Sequence, residues 1–194
     1  MPIASKLLDP ALSPMSVFTN PAGAAREQAA AYVTAVLGLL GDQDPLDVLR
    51  ATPGRLERVL ADTPADVLAR PEARGKWSMG EVLAHLADSD LVWGWRLRLI
   101  LAQDRPALTG YDQDAWARRL GYAEIRPADS VAMFGVLRRA NLRLVERASP
   151  ADLQRIGLHV ERGEESLAHQ LRLYAGHDLL HLNQLARIAR QESG

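Results

Sequence analysis

The chain has 194 residues, no cysteine and 47% apolar content, with 23 basic against 24 acidic side chains and a formal net charge of -1. That length suffices for one domain with a substantial core and leaves no room for two. The interspersed charges form no basic stripe, so DNA and RNA are not expected partners. Without cysteine there is no disulfide, no thiolate ligand and no cysteine nucleophile, and any metal must be bound by nitrogen and oxygen.

Residues 1–22 carry Pro2, Pro10, Pro14 and Pro21 without a sustained period and read as an extended or poorly ordered lead-in. They lack the uninterrupted apolar stretch of a secretory signal, which predicts a cytoplasmic protein. From about Ala24 to Leu40 an alanine-rich composition favours a helix, the main element of residues 23–43, and Gly41-Asp-Gln-Asp-Pro45 stops it. The 14 uncharged residues from Gln28 to Gly41 fall short of the roughly 18 of a membrane span, so a packing helix is expected. An exposed face on it would make a homodimer contact plausible.

A second helix is predicted over 45–62, with Asp44 as N-cap and Pro45 in its first turn. Pro53 must be accommodated there at the loss of a backbone hydrogen bond. After a loop rich in Pro and Gly, Ser78 caps the next helix and Glu81 completes a capping box. Met79, Val82, Leu83, Leu86, Trp93, Leu97 and Ile100 carry its apolar stripe to about Gln103. Residues 104–127 read as a long excursion with one short helix around Gln113 to Arg119, and such excursions often line sites. Asp129 or Ala128 opens a helix whose inward face runs from Val131 to Val145, and Ser149-Pro150 ends it. A turn-rich connection spans Gly157 to Glu165, and Ser166 caps a last helix to about Arg190. Residues 44–190 thus predict an all-α four-helix bundle with one additional N-terminal helix and almost no sheet.

The last helix holds His177 and His181 one turn apart, in Gly176-His-Asp-Leu-Leu-His-Leu-Asn-Gln184. That spacing aims two imidazoles at one point. A lone histidine on an apolar face is ordinarily a hydrogen-bonded core residue. A buried pair must satisfy four ring nitrogens, which a metal ion does readily. His85, on the helix opened by Ser78, could join them, with Glu81 and Asp88 on its own face as acids to orient its ring. Asp178, Asn183 and Gln184 are candidates for the same role toward the other two. His159 lies on the turn-rich connection, where it could approach the site or sit at the surface; His169 falls on the polar side and is excluded.

Arg138 and Asn141 interrupt the inward face of their helix. The arginine either binds a substrate carboxylate or snorkels past apolar neighbours. Tyr111 and Trp116 are candidate pocket walls. Three neutral imidazoles leave a divalent ion open positions for water or substrate, the pattern of a catalytic rather than a structural site. The ion could generate hydroxide for hydrolysis or activate a thiol for transfer. A His-Glu-x-x-His peptidase is disfavoured because Asp178 and Leu179 follow His177.

The segments Gly75-Lys-Trp-Ser-Met-Gly-Glu-Val-Leu-Ala-His85-Leu-Ala-Asp88, Tyr111-Asp-Gln-Asp-Ala-Trp116, Arg139-Ala-Asn141, His159-Val-Glu-Arg-Gly163 and Gly176 to Gln184, taken in this order, resemble the DinB-like superfamily of bacterial four-helix-bundle proteins over roughly residues 44–190. The resemblance implies a metal site made of His85, His177 and His181, holding Zn2+ or Ni2+. It further implies a metal-dependent hydrolase or a thiol-dependent S-transferase, with a small-molecule substrate or a low-molecular-weight thiol as partner, and often a homodimer. The family name reflects induction by DNA damage and implies no polymerase activity. A non-catalytic stress-response binding module on the same bundle, and a plain helical interaction protein with core histidines, are the alternative readings.

Overall fold

The structure, a computed structural model, describes residues 26–190; the lead-in expected over 1–22 lies outside them. The first described element is α1 (Arg26–Leu40), which Gly41 ends in the left-handed conformation at φ 54°. In α2 (Pro45–Asp62) the Asp44 carboxylate accepts from the Leu46 and Asp47 N–H groups, and Pro45 occupies the first turn. One turn, α3 (Ala65–Leu68), leads to α4 (Met79–Ala102), where Ser78 and Glu81 form the reciprocal capping box. The excursion carries strand β1 (Ala107–Leu108), α5 (Gln113–Arg119) capped by Asp112, and a 3-10 turn at Tyr122–Glu124. Then follow α6 (Pro127–Glu146), the single turn α7 (Pro150–Leu153), strands β2 (Ile156–His159) and β3 (Gly163–Ser166), and α8 (Leu167–Arg190). The Ser166 hydroxyl accepts from the His169 N–H at the start of α8. No described helix is long and apolar enough to cross a membrane.

The bundle consists of α2, α4, α6 and α8. Helix α4 packs along α6 and α8, and α2 along the same two, so α2 and α4 face each other across a diagonal although they are consecutive long helices. Helix α1 lies outside this ring against α8. Its close approach depends on Gly176, since a β-carbon there would overlap the Val36 carbonyl oxygen.

The small sheet departs from the expectation of almost none. Strand β2 pairs antiparallel with β3, His159 opposite Gly163, and parallel with β1, Leu108 opposite His159. Strands of two and four residues are too short to show an alternating pattern, and β1 meets β2 from about 50 residues away in the chain. The tight packing is sequence-specific: a β-carbon at Gly157 would press on Leu108 Cδ1 at 2.5 Å.

Two apolar clusters fill the bundle. One gathers Leu49, Trp93, Leu97, Leu142, Leu171 and Tyr174; the other gathers Leu56, Val82, Leu86, Phe134, Leu185 and Ile188. Between them every bundle helix contributes a polar interruption: Thr52 and Pro53 on α2, His85 and Asp90 on α4, Arg138 and Asn141 on α6, His177, Asp178 and His181 on α8. All but Pro53 are buried. A polar layer therefore crosses the middle of the molecule, and burial demands that its groups satisfy one another.

Candidate metal centre

His85 on α4 and His177 and His181 on α8 converge in this layer. Each offers a ring nitrogen within 4.8 Å of the other two, and all three are buried. His85 Nε2 lies 3.1 Å from His177 Nε2. A metal with Zn–N bonds of 2.0–2.1 Å in tetrahedral geometry separates its nitrogens by about 3.4 Å, so this pair already stands near ligand spacing. Ring centroids are 4.7 Å apart for His85 and His181, and 4.5 Å for His177 and His181. Trp77 packs beside His85, their ring centroids 5.0 Å apart and tilted by 45°.

Burial and the neighbouring histidines hold His85 and His177 well below the usual imidazole pKa. Burial likewise lowers His181, to about 4, against the raising effect of its hydrogen bond to Gln184. Neutral rings are what a divalent cation needs. One tautomer is fixed by the surroundings. Gln184 Nε2 donates to Glu72 Oε2 at 3.0 Å, which turns the amide oxygen toward His181 Nδ1 at 2.9 Å. That oxygen can only accept, so Nδ1 carries the proton and Nε2 is left with a lone pair facing the cluster. Arg187 holds the other Glu72 oxygen at 3.0 Å. By contrast His85 Nδ1 is buried with no hydrogen-bond partner. The two Nε2 atoms can share one proton at that distance, but the unpartnered buried nitrogen of His85 marks a poor set of core histidines. They suit a cation that takes the lone pairs.

The remaining candidates are placed as follows. Glu81 closes its capping box, and Asp88 accepts from the Tyr122 hydroxyl at 2.6 Å, so neither hydrogen-bonds His85. Asn183 is half-buried. Asp178 turns from the histidines to Arg138, whose Nη1 and Nη2 donate to its two oxygens at 2.5 and 3.0 Å. Arg138 Nε donates to Asp90 at 2.8 Å, and Asn141 donates to the Asp90 side chain at 3.1 Å. The guanidinium is 1% exposed, with its carbon 4.5 Å above the Phe134 ring. It neither snorkels nor faces a cleft. Its last acceptor is the Leu49 carbonyl at 3.0 Å. In α2 that carbonyl should bond the N–H four residues on, which is Pro53 and has none. Arg138 thus fills the acceptor that the proline orphans.

His159, on β2, is 3% exposed. Its Nδ1 faces the N–H groups of Glu161 and Arg162 at 3.2 and 3.4 Å, and its Nε2 faces Arg96 Nη2 at 3.2 Å. Burial and the cations Arg162 and Arg96 press its pKa down to about 3. It lines a cleft of about 90 Å³ with His177, Arg96, Tyr174, Tyr111 and Tyr32. Trp116 packs against Tyr111 at 4.5 Å, behind that wall. Sequence reasoning missed Asp90, Arg96, Glu72 and Tyr122. Asp90 and Arg96 were findable, because both fall on the Leu83, Leu86, Trp93, Leu97 stripe, where a charge requires a partner.

A sequence profile of the DinB superfamily matches residues 48–185. A protein of Oceanobacillus iheyensis, provisionally named a metal-dependent hydrolase, is 26% identical over 140 residues, covering 72% of this chain and 81% of its own length. A Bacillus mycoides protein with the same provisional name is 30% identical over 129 residues, 66% of this chain and 74% of its own. The solved structure of YfiT from Bacillus subtilis, described as a probable metal-dependent hydrolase with an unusual four-helix bundle topology, superposes with a TM-score of 0.71 at 22% identity, covering 94% of both chains. The profile spans all four bundle helices and the three histidines, and on that match the chain belongs to the DinB superfamily.

Proposed function

We propose that this protein is a divalent-metal enzyme acting on a small molecule, with His85, His177 and His181 as the metal ligands and Zn2+ or Ni2+ as the ion. The observation that carries this reading is the set of three buried, neutral imidazoles with Nε2 of His181 directed inward by Gln184 and Glu72. A cation held by three neutral ligands supplies Lewis acidity, lowering the pKa of a water or thiol that reaches it. His177 also borders the cleft, so a molecule there reaches the centre from that side. Hydrolysis is the first reading, in line with the provisional names of the relatives.

Transfer from a low-molecular-weight thiol is the second reading, favoured by the state of the nearby acids. Asp178, Asp88, Glu72 and Glu81 are all engaged in hydrogen bonds, which leaves Glu161 as the carboxylate on the cleft. A thiol, with an ordinary pKa near 8.5, asks less of a protein base than water does. Elemental analysis of untagged protein tests the metal assignment: about one ion per chain is expected, falling severely in each of His85→Ala, His177→Ala and His181→Ala. Unchanged metal in all three variants refutes it. Turnover of ester and amide panels, against thiols with electrophiles, then separates the two reactions.

A further inference from the structure

The arginines in and beside the polar layer have their charges balanced differently. Arg138 has Asp90 and Asp178, and Arg162 has Glu165. Arg96, only 5% exposed, has no carboxylate within ion-pair distance among the described residues. All its partners are neutral: Nη1 donates to the Tyr174 hydroxyl at 3.0 Å, Nη2 donates to the Thr109 carbonyl at 2.6 Å, and Nη2 also faces His159 Nε2. Nε is buried with no acceptor at all. A buried guanidinium without a counter-charge is costly, and the molecule retains one beside its cleft.

His159 gives an independent sign. A neutral imidazole has one N–H and one lone pair. Both of its nitrogens face donors, two backbone amides on one side and Arg96 on the other. If Nδ1 accepts from the amides, Nε2–H and the guanidinium point two donors at one place; the opposite tautomer strands Nδ1–H against both amides. The favoured arrangement satisfies both amides and leaves convergent donors at Nε2. The Tyr174 hydroxyl, already accepting from Arg96, has its own proton to give. An entering oxyanion would satisfy all three groups.

We propose that Arg96, His159 and the Tyr174 hydroxyl form a subsite for the carboxylate of a compact organic acid whose other end reaches the three-histidine centre. This names the substrate class of the site proposed above and rests on that reading. One uncompensated cation matches one negative charge, whereas a phosphate dianion would leave an excess beside Glu161, the acid of this cleft, whose carboxylate rests over Gly110. A cleft of about 90 Å³ suits a compact acid.

Titration of propionate into the metal-loaded full chain, followed by calorimetry or ligand-observed NMR, tests the assignment. Saturable binding is expected, with propionamide failing to compete. Arg96→Gln should weaken propionate at least tenfold with metal content unchanged, and Arg96→Lys should weaken it less. Equal binding of acid and amide, or equal affinity in wild type and Arg96→Gln, overturns the subsite. Inorganic phosphate displacing propionate at a lower concentration than acetate does overturns the carboxylate assignment. Should Arg96→Gln not fold, Tyr174→Phe and the acid-against-amide comparison carry the same test. Propionate binding that survives removal of the metal by a chelator supports the subsite even if the metal reading fails.

Discussion

Replacing Arg138 by methionine removes the cation that two buried carboxylates and one backbone carbonyl depend on. Asp90 and Asp178 are each 1% exposed, and breaking a buried ion pair by deleting one partner costs about 3–5 kcal/mol. At about 2–4 °C per kcal/mol for a chain of this size, Arg138→Met should lower Tm by roughly 6–20 °C. The Leu49 carbonyl makes the prediction specific. In a Pro53→Ala background, residue 53 regains an N–H and closes the helical hydrogen bond to Leu49, so this part of Arg138's role becomes redundant. An unsatisfied buried acceptor costs about 1–3 kcal/mol. Arg138→Met should therefore cost less by about that amount when Pro53 is already alanine. Urea denaturation of the metal-free wild type, both single variants and the double variant, followed by circular dichroism, gives the coupling directly. Effects that add to within about 0.5 kcal/mol refute the claim that Arg138 compensates for the proline.

Gln184→Leu should leave the fold intact and weaken metal binding about 10–100-fold, because His181 loses the acceptor that fixes its tautomer; competition with a chromophoric chelator measures it. Gly176→Ala should destabilise the protein by about 1–3 kcal/mol, less any gain in helix propensity, since the methyl meets the backbone of α1; thermal unfolding reads the loss, and unchanged stability would mean that α1 does not pack as described. Acid should destabilise the metal-free protein. His159 and His181 have folded pKa values of about 3 and 4 against an ordinary 6.5, so the unfolded chain binds more protons in that window. Stability is therefore complete above pH 6.5 and falls as pH drops through it toward 3. Asp90, raised by burial to about 6, acts oppositely between 6 and 3.8, but it is one group against four lowered histidines. A midpoint in urea that stays flat from pH 7 to 5 contradicts this account.

The parts of the fold written in local chemistry were legible. Ser78 with Glu81, Asp44 with Pro45, and the histidine pair at one-turn spacing each need only neighbours in sequence, and the structure places these elements where the residues predict them. What escaped depends on pairing across the chain. Nothing in Ile156-Gly-Leu-His announces that Ala107 and Leu108 will lie beside it. Glu81 and Asp88 look like orienting acids because they share a helical face with His85, yet a cap and the Tyr122 hydroxyl, 34 residues on from Asp88, engage them first. Glu72 sits in a segment that reads as loop, and only the return of α8 brings Gln184 and Arg187 to it. The role of α1 was equally hidden: its composition says packing helix, while its position puts Tyr32 on the wall of the cleft that His177 borders.

That wall bears on how far the family can instruct about substrate. The matched profile begins at residue 48, after α1. The three histidines and the Arg138 network lie within the match, but the cleft is completed by Tyr32 from outside it. Tyr32 thus adds an aromatic wall from outside the match to a cleft whose other lining residues, Arg96, His159, Tyr174 and His177 among them, lie within it. The charges of the layer are paired with one another: Arg138 with Asp90 and Asp178, Arg187 with Glu72. Arg96 is left out of that pairing, and it lines the same cleft as Tyr32 of α1. On the proposed reading, substrate choice follows from an unpaired charge beside an aromatic wall, so relatives that keep the histidines but change either element should share the metal and differ in the molecule they accept.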